Sequence, residues 1–133
     1  MGGDPDPGPS AAEATLRAAR GALRRDLGSP LWEAALQDAV AQRGWWLSQW
    51  PEGAPHVLGL VAQDVQEAVH QLDPLWPRCP EPSCPERLRH ALFVEPDLGP
   101  DPFWTCHRTG LPVAPVGSLS GTGGSAPGTA APQ

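Results

Sequence analysis

Every cysteine of the chain falls between residues 79 and 106: Cys79, Cys84 and Cys106. Cys79 and Cys84 flank a proline-stiffened loop, Cys79-Pro-Glu-Pro-Ser-Cys84. Cys106 follows an aromatic pair in Phe103-Trp104-Thr105-Cys106. His90 and His107 stand close by. Thiolate sulfur and neutral imidazole nitrogen are the donors that zinc and softer metals prefer, so a four-ligand site can be assembled from this segment alone. The same residues have two other outcomes. One is a Cys79–Cys84 disulfide; the other is three metal-free cysteines, with Cys106 acting as a small buried hydrophobe. The sequence has no Ser-His-Asp order, HExxH motif, phosphate-binding glycine loop or paired-carboxylate motif, so this cluster is its one constellation with chemical content.

The elements that must position these residues follow a simple order. Ser10-Ala-Ala-Glu13 is a capping box that opens a first helix. Ala12, Leu16, Ala19, Leu23 and Leu27 form its apolar stripe, and Gly28 is placed to stop it. Arg17, Arg20, Arg24 and Arg25 lie on the other side, with Glu13 and Arg17 spaced as an i,i+4 pair. A second helix follows at once, with Ser29 as cap, Pro30 at its first position and Trp32, Leu36, Ala39 and Val40 facing inward; Gly44 is expected to end it. The short link makes the two helices an antiparallel hairpin. Trp45 to Trp50 reads as a short extended segment closing into a Pro51-Glu52-Gly53 turn. Val57, Leu60, Val61, Val65, Ala68, Val69 and Leu72 then hold helical periodicity, with Gln63, Gln66, Glu67 and His70 on the opposite side and Asp73-Pro74 as the stop. Beyond Leu75 proline becomes frequent. Residues 88–94, 103–106 and 113–116 read as three short strands, the last two joined by a turn at Arg108-Thr109-Gly110, and Pro112 and Pro115 place the third at an edge.

Residues 79–117 resemble a zinc ribbon: a cysteine-bearing loop, a strand, then an aromatic residue ahead of further ligands on a hairpin. Two features depart from the usual pair of Cys-x-x-Cys knuckles. The first pair is spaced Cys79-x4-Cys84, and the place of the fourth cysteine holds Thr109. A histidine must therefore complete the set. Neighbouring residues on a strand point to opposite faces, which separates His107 from Cys106 unless the chain turns there. His90 avoids that conflict, giving Cys79, Cys84, His90 and Cys106, with His107 as the alternate fourth ligand. Such a zinc is structural and closed, and contributes about 10 kcal/mol or more to folding under favourable conditions.

Composition bounds the rest. The chain has 133 residues, a net charge of −6 and an isoelectric point near 5.0. That charge argues against a protein that coats nucleic acid or anionic lipid. No apolar run approaches a membrane span, and the N-terminus carries neither a signal nor a myristoylation pattern. The expected compartment is the cytoplasm, where cysteines stay reduced and more often bind metal. Lys, Ile, Asn and Tyr are absent while Ala, Gly, Pro and Arg abound. This is the codon signature of a GC-rich genome, and the chain resembles small proteins of actinobacteria in style, a likeness that implies no activity. It also means that Arg without Lys is no sign of phosphate recognition.

These readings give an α+β fold. A helical region spans residues 10–75 and packs with a small antiparallel zinc-ribbon-like β region over 76–119. Residues 1–9 and 120–133, made of small residues, Pro and Asp, are expected to be disordered. The tryptophans Trp45, Trp46 and Trp50 are expected mainly in the core, with Trp50 the one partly exposed; Trp76 and Trp104 should pack between the two regions. A partner would meet Trp50, or the stripe of Arg17, Arg20 and Arg24, whose bland reading is a solvated helix face. The functional expectation is a non-enzymatic binding or adaptor protein with a zinc staple and a protein partner. The alternatives are a zinc enzyme with water in place of His90, and a nucleic-acid-binding accessory protein.

Overall fold

The computed structural model describes residues 10–122. It contains helices α1 (Ala11–Leu27), α2 (Glu33–Gln49) and α3 (Val57–His70), then strands β1 (Phe93–Glu95), β2 (Phe103–Thr105) and β3 (Pro112–Pro115). The expected α+β architecture is present. The disorder expected for residues 1–9 and 123–133 lies outside the described residues. Leu119–Thr122 forms a 3-10 turn, so the start of the expected tail is structured, with Leu119 buried in the core.

Helix α1 begins with both halves of the capping box. Glu13 N–H donates to Ser10 Oγ at 3.1 Å, and Ser10 N–H donates to Glu13 Oε1 at 2.8 Å. The Glu13 carboxylate is engaged in that cap rather than in an ion pair with Arg17. Gly28 ends the helix at φ 64°, the left-handed region in which glycine carries no Cβ penalty. Ala19, Leu23 and Leu27 are buried as expected, whereas Ala12 is exposed.

The second helix departs from expectation. Ser29 caps a 3-10 turn over Pro30–Trp32, and α2 then runs through Gly44 to Gln49. Gly44 therefore does not terminate it. Its role is close approach, since a Cβ there would stand 3.3 Å from Leu16 Cδ1 on α1. Trp45 and Trp46 consequently lie on a helix rather than on an extended segment. The turn that follows is a 3-10 stretch over Pro51–His56. Its Gly53 is wedged under the indoles, where a Cβ would fall 2.5 Å from Trp46 and 2.6 Å from Trp50.

Helix α3 supplies the centre of the core through Val57, Val61, Ala62, Val65 and Val69. Leu72 lies past the end of the helix and is 79 % exposed, so it does not extend that stripe. The strands form one antiparallel sheet in the order β1-β2-β3, with Val94 opposite Trp104 and Trp104 opposite Ala114. Trp76 and Trp104 meet edge to face at 5.4 Å between helices and sheet, as expected. They are the largest fully buried side chains, and aromatic pairs of this kind add about 0.5–1.5 kcal/mol beyond area burial.

Two buried polar side chains fasten the halves together. Asp26 on α1 accepts from Trp104 Nε1 (2.9 Å), Gly117 N–H (2.6 Å) and Leu119 N–H (3.0 Å). Burial pushes its carboxyl pKa above the ordinary value, against the opposing pull of these donors and of Arg25. Periodicity puts Gln66 of α3 on the polar side, but it is buried. Its Nε2 donates to Leu92 O at 2.7 Å and Trp76 O at 3.2 Å. His70 reaches the same Trp76 carbonyl through Nε2 at 2.7 Å. Two carbonyls bracketing the cysteine loop are thereby held by the third helix.

Candidate metal centre

The loop carrying Cys79 and Cys84 is closed on itself by backbone bonds. Leu92 N–H donates to Pro77 O at 2.7 Å, Cys79 N–H to His90 O at 3.0 Å, and Leu88 N–H to Cys79 O at 2.7 Å. The return is a tight one: Leu88 has φ 67°, a conformation that side-chain-bearing residues seldom adopt. Arg78 Nη1 donates to Leu88 O at 3.1 Å across the same turn. This folding brings His90 back over the loop beside Cys84.

Cys106 arrives at the end of β2. Its N–H donates to Leu111 O at 2.9 Å, and Gly110 N–H donates to Cys106 O at 2.7 Å. Gly110 sits at φ 78°, which lets the chain reverse at the expected Arg108-Thr109-Gly110 turn. The turn aims backbone donors at sulfur, with Thr109 N–H 3.4 Å from Cys106 Sγ. An Arg108–Glu86 ion pair at 2.6 Å links it to the cysteine loop.

The two pieces converge. One ligand atom from each of Cys79, Cys84, His90 and Cys106 lies within 4.8 Å of all the others. Cys84 Sγ is 3.2 Å from His90 Nε2, Cys106 Sγ is 3.7 Å from the same nitrogen, and the two sulfurs are 3.8 Å apart. Around a tetrahedral zinc, with Zn–S about 2.3 Å and Zn–N about 2.0–2.1 Å, neighbouring ligand atoms stand about 3.5–3.8 Å apart. Cys84, His90 and Cys106 already have nearly that spacing, and Cys79 Sγ lies within 4.8 Å of each. The imidazole is also oriented for ligation. His90 Nδ1 lies 2.9 Å from Ala91 O, which can only accept, so Nδ1 carries the proton and Nε2 turns its lone pair to the thiols.

The cysteines are free and buried, so the disulfide alternative is not the state seen here. Burial pushes the Cys79 thiol up to about 12, with a Glu81 N–H pulling against it and Cys106 adding to the rise. Burial also opposes ionisation of Cys106, yet Thr109, the Arg108 N–H and the Cys79 thiol outweigh it and bring Cys106 down to about 6. One proton of this pair leaves readily and the second is held. A divalent cation among the sulfurs would reverse that penalty, because metal binding drives off thiol protons.

His107 points elsewhere. Its Nε2 is 2.8 Å from Glu95 Oε2, and its ring stacks on Phe93 at 5.0 Å. The alternate fourth ligand is therefore turned away from the sulfurs; β2 ends at Thr105, so it is the turn after Cys106 and the contacts with Glu95 and Phe93, not strand alternation, that direct His107. The residues considered for a partner are scattered. Arg24 pairs with Glu33 at 2.5 Å, Arg17 is exposed and Arg20 is half-buried. Trp50 is 43 % exposed and meets Trp46 edge to face at 5.2 Å.

The expectation of a tryptophan core fails most clearly at Trp45, which is 69 % exposed. Trp45 and Trp46, with Gln42 and Arg43, line an open pocket of about 380 Å³. Arg43 stacks over the Trp46 ring at 5.6 Å while gripping Asp64 with two bonds. The sequence signal for this surface was present in the helical wheel. Trp45 lies five positions after Val40 and two before the buried Leu47, off the inward stripe once α2 is allowed to continue.

Among the described residues, no helix is long and apolar enough to cross a membrane. No curated protein and no solved structure matches the chain. One domain family does, over residues 12–116, which takes in all three helices, the sheet and the whole Cys/His cluster. The chain thus belongs to the DUF8819 family, a domain of unknown function.

Proposed function

We propose that this chain is a non-enzymatic binding or adaptor protein whose C-terminal half is stapled by zinc through Cys79, Cys84, His90 and Cys106. The observation that carries the reading is the convergence of four donors within 4.8 Å of one another, three of them at near-tetrahedral spacing, with the imidazole fixed in the ligating tautomer. Three thiolates and an imidazole fill a tetrahedral zinc and leave no position for substrate, so the role is structural. The likeness to a zinc ribbon belongs to the same reading. Binding then falls to the surface of the helices. Trp45 and Trp50 are the large exposed aromatics there, and residues of this type dominate protein–protein contacts. A protein partner suits the net charge of −6 better than nucleic acid does. Reduced, metal-ready thiols fit a cytoplasmic setting.

Metal content of the protein purified under reducing conditions tests this. One zinc per chain is expected in the wild type and in His107→Ala, with less than one retained by His90→Ala, which holds the metal more weakly. Loss in His107→Ala alone would refute the ligand set, and no zinc in any form would discard the staple.

A further inference from the structure

The four donors are not equivalent towards solvent. Cys79 and Cys106 are fully buried and Cys84 is 5 % exposed, while His90 is half-buried and is the ligand that reaches the surface. All four are tied in by backbone bonds, His90 through its own carbonyl, which accepts from Cys79 N–H at 3.0 Å. Each cysteine belongs to a backbone-locked turn: Leu88 N–H on Cys79 O, Cys84 N–H on Glu81 O at 3.0 Å, and Gly110 N–H on Cys106 O. The His90 ring is oriented by a bond to the carbonyl of its own neighbour, Ala91. Swinging that ring outward breaks its contacts with Ala91 O and with the Cys84 and Cys106 sulfurs, and moves the one half-buried member of the set. The three thiol sulfurs belong to buried residues and have no such access to solvent.

Resting on the zinc reading above, we propose that His90 is the exchangeable vertex of the site, through which metal is loaded and withdrawn by an external thiol ligand, a cysteine of a metal-carrying partner or a small thiol. In the exchange the Zn–N bond to His90 breaks and a Zn–S bond to the incoming sulfur forms. The proton of that thiol passes to the freed Nε2 of His90. No electrons change hands; the three buried thiolates hold the metal through this step and let go, each taking up a proton from solvent, only when the acceptor draws the metal away. A thiol suits this vertex because the site is sulfur-rich and zinc accepts a fourth thiolate as readily as an imidazole.

The test follows zinc transfer from the reduced full chain to a coloured chelator, with and without added glutathione, for the wild type, His90→Cys and His90→Ala. His90→Cys restores a four-thiolate set whose fourth member is tied to the chain. The wild type should transfer zinc faster as glutathione rises. His90→Cys should be slower than wild type, and His90→Ala faster, by about ten-fold or more in each direction, the scale on which changes around a metal ligand act. Far-ultraviolet circular dichroism reports whether each variant is folded; if His90→Ala is not, the His90→Cys comparison decides alone. Equal rates for wild type and His90→Cys, or a wild-type rate indifferent to glutathione, would overturn the exchange route while leaving the staple intact. A wild type that holds no zinc would overturn both.

Discussion

Replacing Asp26 by Asn isolates the contact that joins the first helix to the sheet. The Asp26 carboxylate is 5 % exposed and accepts three hydrogen bonds, two at Oδ2 from Trp104 and Gly117 and one at Oδ1 from Leu119. Asparagine keeps the shape and can leave its one oxygen in the Oδ2 position, preserving two bonds. Its NH2 group then meets the Leu119 N–H, donor against donor. A buried donor left unpaired costs about 1–3 kcal/mol, so the variant should be less stable by about that amount. Burial raises the Asp26 pKa in the folded chain, and this fixes the sign of the pH dependence. An acid whose folded pKa lies above its unfolded value contributes most below the unfolded pKa, and that contribution is lost as pH rises through the folded pKa. The deficit of Asp26→Asn should therefore be largest near the ordinary Asp range and shrink as pH rises. Urea unfolding followed by tryptophan fluorescence, on both proteins at matched zinc and across pH 4 to 7, measures the difference while cancelling titration of other groups. A deficit that is absent, or that grows with pH, would refute the account of Asp26 as a buried carboxylate held against desolvation.

Other substitutions probe the remaining joints. Gln66→Leu removes the donor shared by Leu92 O and Trp76 O and should cost about 1–3 kcal/mol in urea unfolding. Unchanged stability would show that these carbonyls find other partners. Gly53→Ala drives a Cβ into the Trp46 and Trp50 rings and should destabilise by about 1–3 kcal/mol through overpacking, with a shifted tryptophan emission. A neutral outcome would mean that the Trp46–Trp50 pair yields freely. Trp45→Ala, at an exposed position, should leave the unfolding midpoint within about 0.5 kcal/mol. Trp76→Ala, in the core, should cost about 3–5 kcal/mol. Reversal of that order would contradict the placement of the two indoles.

Helix periods and caps could be read from the chain because they are local. The capping box at Ser10 and Glu13, the glycine stop at Gly28 and the valine stripe of α3 each depend on residues a turn apart. Gly44 misled because glycine has two uses, ending a helix or letting another helix come close, and only Leu16 on α1 decides between them. The tryptophan segment followed from that error. Asp26 and Gln66 were legible in a way that composition obscured. Asp26 lies three positions after Leu23, and Gln66 four after Ala62 and three before Val69, so both sit on inward stripes. A polar residue on such a stripe must find buried partners. Their partners are 78 and 26 residues away, a distance that no local pattern spans. At the metal centre, strand alternation points to His90 over His107, but the strand ends at Thr105, and it is the turn and the Glu95 and Phe93 contacts that hold His107 away. The positive φ of Leu88, which returns the chain to His90, has no sequence signal, because leucine is not a residue that advertises such a turn.

The central claim is the ligand set around the staple, and X-ray absorption at the zinc edge reads it directly. For the zinc-loaded chain, the account predicts a four-coordinate first shell of three sulfurs at about 2.3 Å and one nitrogen at about 2.0–2.1 Å. It also predicts an imidazole outer-shell signal that disappears in His90→Cys, where a fourth sulfur takes its place. A shell dominated by oxygen or nitrogen, or an imidazole signal that survives His90→Cys, would contradict it.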